Sequence, residues 1–219
     1  MIDFNKMTEN YLERESKIKT IGRYYPSEIG SCMRKIWYSY KYPKKTDAEL
    51  AKIFEMGNIV HDFVVEVLKS EKNKNVELIS VEVPFKQQIE GFVISGRIDD
   101  LILIKDKNKK ILVEVKSTKS LAYIKEAQQS HRMQLQLYMH ATKVHSGIVL
   151  YVEKNTLQSS VFEVSYSEEE AQGIIKRFKN LHSSLKNDLL PIAEAKKLEG
   201  KEWQCRFCEY SEKCEKNAE

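Results

Sequence analysis

The 219-residue chain has no apolar run approaching the roughly twenty residues that a membrane-spanning helix needs, so no membrane association is expected. Its first stretch, MIDFNKMTENYLERESKIK, is polar and carries acids, which argues against a secretory signal. There are no internal repeats, no low-complexity tract and no long linker. That leaves one domain with a sizeable core, or one domain with a small appendage. Neither sign of charge dominates. Lys and Arg number 36 against 32 Asp and Glu, a net +4 that is compatible with a polyanionic partner without establishing one. Cysteine is scarce, at four residues. In a chain read as cytoplasmic, clustered cysteines point to metal ligation rather than disulfides.

Three of the four stand together: Cys205, Cys208 and Cys214 in CRFCEYSEKC. Cys32, near the other end, is the one candidate for a fourth thiolate, and a shared site would staple the two ends of the chain. Zinc takes four cysteines in tetrahedral sites. Iron–sulfur clusters also take four, with more variable spacing. One C-x-x-C pair plus two single cysteines departs from the doubled pairs of zinc ribbons and tilts toward a cluster; spacing alone leaves both open.

Met33 to Lys45, MRKIWYSYKYPKK, interleaves cations with aromatics. Such a stretch can neutralise phosphates and stack on unpaired bases. It reads equally as a helix with aromatics in the core and lysines in water, and taken alone the second reading is preferred.

Periodicity places a helix over 7–20, then N-caps at Ser27 or Ser31, then a helix over 53–70. On that helix Phe54, Gly57, His61, Val64, Val65 and Leu68 share one face. Strands follow at 76–87, 92–104 and 110–118, the last two joined by the polar KDKNK. A helix over 121–143, strands at 147–154 and 160–166, and a helix capped by Ser167, with Glu170 as capping-box partner, complete the order. This is a mixed α/β domain with a central sheet flanked by helices.

KILVEVKST (110–118) raises a chemical question. It is a strand-forming apolar run that contains Glu114 and Lys116. Side chains alternate along a strand, so these two share a face while Val113 and Val115 take the other. The neighbouring strand carries Asp99, which can approach Glu114. Two carboxylates facing each other repel unless a cation lies between them. Hard oxygen donors suit magnesium or manganese. His61, on the apolar face of its helix, points inward. A lone inward histidine is more often a core residue, but beside a carboxylate site it becomes a candidate ligand. Gln134 and Tyr138 share a helix face and could hydrogen-bond a substrate strand; a buried tyrosine with an amide partner is the preferred reading without context.

In order, GNIVH, GRIDD, VEVKS and QLQLY resemble the motif series of the RecB-like branch of the PD-(D/E)xK nuclease superfamily. SEIGSCMRKIWY and CRFCEYSEKC resemble the iron–sulfur staple found in part of that branch. In size and layout the chain is similar to the stand-alone CRISPR-associated RecB-like exonucleases. The AddB nuclease domain has a similar staple within a far longer chain. The resemblance spans about residues 27–214. It implies a single nuclease domain over 1–219, with a restriction-endonuclease-like core at about 50–190 and a staple region at 27–45 plus 200–216. It assigns Asp99, Glu114, Lys116, Gln134 and Tyr138 to catalysis. His61, Asp99, Glu114 and the Val115 carbonyl would hold Mn or Mg. Cys32, Cys205, Cys208 and Cys214 would hold a 4Fe–4S cluster. Arg34 and Lys35, with Gln134 and Tyr138, would contact DNA. Asp100, beside Asp99, is not taken as a ligand. The activity implied is an exonuclease on single-stranded DNA ends, in CRISPR adaptation beside the integrase proteins. The alternatives are a DNA-binding or assembly module with weak nuclease activity, or a viral or repair nuclease of the same branch. Oligomeric state stays open.

Overall fold

The structure, a computed structural model, describes residues 1–13 and 18–217. Its centre is a six-stranded mixed sheet. β2 (Val76–Ile89) and β3 (Phe92–Ile104) form a long antiparallel hairpin. β2 pairs along the whole of one edge of β3, so the other edge is shared. β1 (Arg23–Tyr24) takes that edge at Val93 and Ile94, running parallel. β4 (Lys109–Thr118) takes it from Asp100 to Ile104, running antiparallel. Residues 95–99 lie between the two partners. The sheet continues through β5 (Ser146–Glu153), parallel to β4, and β6 (Ser159–Ser165), antiparallel to β5. A parallel step needs a crossover, and α4 (Gln129–Thr142) supplies it.

Two hydrophobic clusters pack on the sheet. The larger joins α2 (Met33–Lys41), α4 and α5 (Glu168–Lys186) to residues such as Tyr24, Ile94, Ile98, Leu112 and Val149. The smaller joins Val60 and Val64 of α3 (Ala48–Lys69) to Ile102, Val113, Val115 and Val152. Along β4 the split follows simple alternation: Leu112 faces one cluster, Val113 and Val115 the other. Along β3 it does not, because Ile98 packs in the larger cluster and Ile102 in the smaller. Asp99 and Asp100 sit at that changeover.

The five expected strands and α5 stand where the sequence places them, within one or two residues, and β1 is an addition to them. Five expectations are corrected. The leader helix is α1 (Phe4–Leu12), starting earlier and ending at Glu13, whose extended backbone closes it. Residues 18–20 are not helical, and 14–17 of the expected helix lie outside the described residues. α3 begins at Ala48 because the Asp47 carboxylate caps the Glu49 and Leu50 N–H groups, and its Phe54 is exposed rather than packed. Neither serine caps the next elements. Tyr25 precedes a 3₁₀ turn at Pro26–Glu28, and Cys32 precedes α2. α4 begins only at Gln129, since the backbone before it is tied elsewhere: Leu121 N–H to Glu153, Gln128 N–H to the Tyr151 hydroxyl. At α5 the Ser167 hydroxyl accepts the Glu170 N–H (3.2 Å), but the capping box is half made. The Ser167 N–H goes to Gln136 and the Glu170 carboxylate to Arg132.

Candidate active site

The ladder between β3 and β4 ends at the pair Asp100–Val113. Beyond it the Asp99 carboxylate accepts the Val115 N–H at 2.8 Å, standing in for the backbone bond that the parting strands no longer make. In an extended strand the N–H and C=O of one residue leave the same edge, so the Val115 carbonyl also points into this opening. Gly96 keeps β3 in place here. A Cβ on it would stand 3.1 Å from the Pro26 ring, tighter than ordinary contact allows.

Glu114 is fully buried beside the opening and meets the Lys116 ammonium. Burial, then the Asp99 charge, push the Glu114 carboxyl up to about 8, against the pull of Lys116. Burial likewise raises Asp99, opposed by Lys116 and the Val115 N–H. For Lys116, burial favours the neutral amine, but Glu114 and Asp99 outweigh it and hold the pKa above the usual lysine value. The pocket carries too much negative charge for its single lysine.

His61 comes from α3 on the opposite cluster. Its Nε2 lies 3.4 Å from the Asp100 carboxylate, too distant for a good hydrogen bond, yet close enough that Asp100 raises the imidazole pKa against the effect of burial. Glu114 Oε1 faces the Lys116 ammonium, while His61 Nε2, both Asp100 oxygens and the other Glu114 oxygen are buried without a hydrogen-bond partner. Buried polar atoms are paired in the great majority of cases, so an under-partnered cluster of acids and an imidazole marks a place that suits a cation. The donor set, carboxylates and an imidazole, suits a hard divalent ion. The donors are split between the two sides of the opening. Among the described residues no three His, Cys, Asp or Glu side chains form a ready-made ligand group, so side chains must turn to close on an ion.

Gln134 and Tyr138 come together as expected, but inward. The Gln134 amide donates to the Tyr138 hydroxyl (3.0 Å), which donates to the Arg97 carbonyl (2.7 Å). Both residues are buried, Tyr138 almost completely. The pair braces the G-x-x-D segment. Two further residues adjoin Lys116. Tyr151 is its register partner on β5, and the Tyr151 hydroxyl contacts His131 Nδ1 at 2.7 Å. Burial and the Lys116 charge push His131 down to about 3. His131 stands three residues before Gln134 and seven before Tyr138, a helical spacing that could have disclosed it.

The cysteines come from the two ends of the chain toward one region, but among the described residues no three of them stand as a ready-made ligand group. All four are free thiols. Burial, then the proximity of Cys32, Cys208 and Cys214, raise the Cys205 pKa. The two chain ends are joined around them by hydrogen bonds. Cys32 N–H donates to the Gln204 side chain (3.0 Å) and Met33 N–H to Glu194 (2.8 Å), which also binds Arg177. Arg34 is buried, and its guanidinium is spent on the Pro191 and Asn217 carbonyls and on Cys214 Sγ. In this structure it braces the cysteine region. Lys35 lies near Cys208. Trp37, Tyr38 and Tyr40 of the basic aromatic stretch are buried.

A strand opening with Asp, Glu-x-Lys and a helical histidine is the outline of a nuclease centre. The PD-(D/E)XK nuclease superfamily model matches residues 62–215, and the chain belongs to that superfamily. Over 208 residues it is 26% identical to the CRISPR-associated exonuclease Cas4 of Saccharolobus solfataricus, covering 92% of each chain. Its fold is similar to the crystal structure of SSO0001, with a TM-score of 0.63, 24% identity, and 95% of this chain and 92% of that chain covered. It is also similar to a phage-related exonuclease from Haemophilus somnus, with a TM-score of 0.51, 8% identity, and 83% and 99% covered.

Proposed function

We propose that the chain is a Mg- or Mn-dependent deoxyribonuclease that hydrolyses phosphodiester bonds from single-stranded DNA ends, as an exonuclease of CRISPR adaptation working beside the integrase proteins. The observation that carries this is the crowding of buried acids at the opening between β3 and β4, where burial and the Asp99 charge raise the Glu114 pKa, Lys116 faces both acids, and one Glu114 oxygen has no partner. Asp99, Glu114, His61 and the Val115 carbonyl would hold the ion, which when bound neutralises charge on the phosphate and acidifies water. Lys116 keeps its proton between the two carboxylates and donates toward the attacking water or a phosphate oxygen. Tyr138 and Gln134 hold the Arg97 carbonyl, and with it the strand that presents Asp99.

The nearness of Cys32, Cys208 and Cys214 to Cys205, which adds to burial in raising its thiol pKa, supports a group that takes thiolates, such as a 4Fe–4S cluster. Cys32, Cys205, Cys208 and Cys214 would hold it in a structural role. Anaerobic purification with iron, sulfide and zinc analysis tests this, and stoichiometric zinc without iron or sulfide overturns the cluster assignment.

The assay for the main reading uses end-labelled single-stranded DNA with Mn²⁺, Mg²⁺ or chelator. Mononucleotide release that needs the ion and is lost in Lys116→Ala supports it. Processing that survives Lys116→Ala undiminished, or that persists in chelator, overturns it.

A further inference from the structure

Asp100 has no exposed surface, and neither of its oxygens has a hydrogen-bond partner. Its strand partner is Val113, which packs with Val60, Val64, Ile102 and Val115. A carboxylate so placed costs several kcal/mol unless something compensates it. The nearest compensating group is His61 Nε2 at 3.4 Å, itself buried and unpartnered. Closing that gap to an ordinary hydrogen bond takes about half an ångström. Metal-ligating histidines nearly always donate their second ring N–H to a carboxylate or carbonyl, which fixes the tautomer and the ring direction.

We propose that Asp100 is a positioning residue for His61. It accepts the Nε2–H of the imidazole, and Nδ1 is left as the lone pair that meets the divalent ion. The pair accounts for two facts together: an acid buried among valines and isoleucines, and a histidine whose ring nitrogen faces it without a bond. It also gives the two adjacent aspartates different work, with Asp99 at the opening of the sheet and Asp100 behind the histidine. The inference rests on the metal-site reading above.

The test is Mn²⁺ titration calorimetry on the full chain, comparing the unaltered protein with Asp100→Asn, His61→Ala and the double variant. Asp100→Asn is nearly isosteric and removes a buried charge, so it stays folded, which circular dichroism checks. We expect Asp100→Asn to weaken Mn²⁺ binding roughly 10- to 100-fold. The double variant binds no more weakly than His61→Ala, because Asp100 acts through the ring. In the Mg²⁺-loaded protein, ¹H–¹⁵N imidazole correlations show His61 protonated at Nε2, and Asp100→Asn loses that single tautomer. Unchanged Mn²⁺ affinity in Asp100→Asn overturns the proposal. So do losses that multiply in the double variant, or a His61 ring protonated at Nδ1. If the unaltered protein takes up no Mn²⁺, the metal-site reading falls and this inference with it. If it takes up Mn²⁺ and Asp100→Asn matches it, only the inference falls.

Discussion

The opening between β3 and β4 and the cysteine-bearing end of the molecule both gather reactive side chains from distant parts of the chain, yet they are stabilised in opposite ways. At the cysteine end the protein satisfies itself. Arg177 binds Glu194 through two nitrogens and also reaches the Ile29 and Ser31 carbonyls, while Arg34 ties Pro191 to Asn217. At the strand opening, both Asp100 oxygens and one of Glu114 are left without donors, and one lysine faces two acids. A fully bonded polar network holds a shape by itself. A half-bonded one holds a vacancy of charge. The contrast assigns mechanical work to the first region and chemical work to the second.

The largest effect expected on either side is on catalysis. Lys116→Ala should lower nuclease activity by about a thousandfold or more, because the loss falls on the transition state, and, by stranding the Glu114 carboxyl it faces, should also lower the melting temperature. Release rates on labelled DNA and thermal melts check the two halves. The mirror experiment is Arg177→Ala, which breaks the self-satisfied network. It should cost roughly 2–4 kcal/mol, lowering the melting temperature by roughly 5–15 °C.

Glu114→Gln sharpens the contrast from the other direction. The folded pKa of Glu114, about 8, lies above the ordinary 4.5, so the folded protein binds the extra proton between those values. In chelator, stability should therefore fall as pH rises from about 4.5 to about 8, and level off above. Glu114→Gln should flatten that slope and raise the melting temperature at pH 8 by a few degrees, although it removes a site residue. Tyr138→Phe has the smallest effect. Losing the bond to the Arg97 carbonyl should cost about 1 kcal/mol, seen as a drop of roughly 2–4 °C.

Much of this was legible in local pattern. The alternation in KILVEVKST placed Glu114 and Lys116 opposite Val113 and Val115, and the hairpin brought Asp99 to them. What was not legible depended on packing between elements. The stretch 121–128 looks helical, but the N–H groups of Leu121 and Gln128 are taken by Glu153 and Tyr151, residues of a strand far along the chain. Arg34 sits in a basic aromatic run that reads alike for a DNA-facing helix and for a core helix; its partners come from the opposite end of the sequence. Asp100 looked like a bystander to Asp99. Its place follows from the changeover of β3 between two cores, which period-two alternation cannot announce.

The strand opening is proposed to bind a divalent cation. The direct measurement is the melting temperature of the unaltered protein in saturating Mn²⁺ against chelator, with Glu114→Gln beside it. Binding at a hundredfold above the dissociation constant contributes about 2.7 kcal/mol, so the unaltered protein should melt several degrees higher in Mn²⁺ while Glu114→Gln does not respond. No shift in the unaltered protein, or an equal shift in both, would contradict the account.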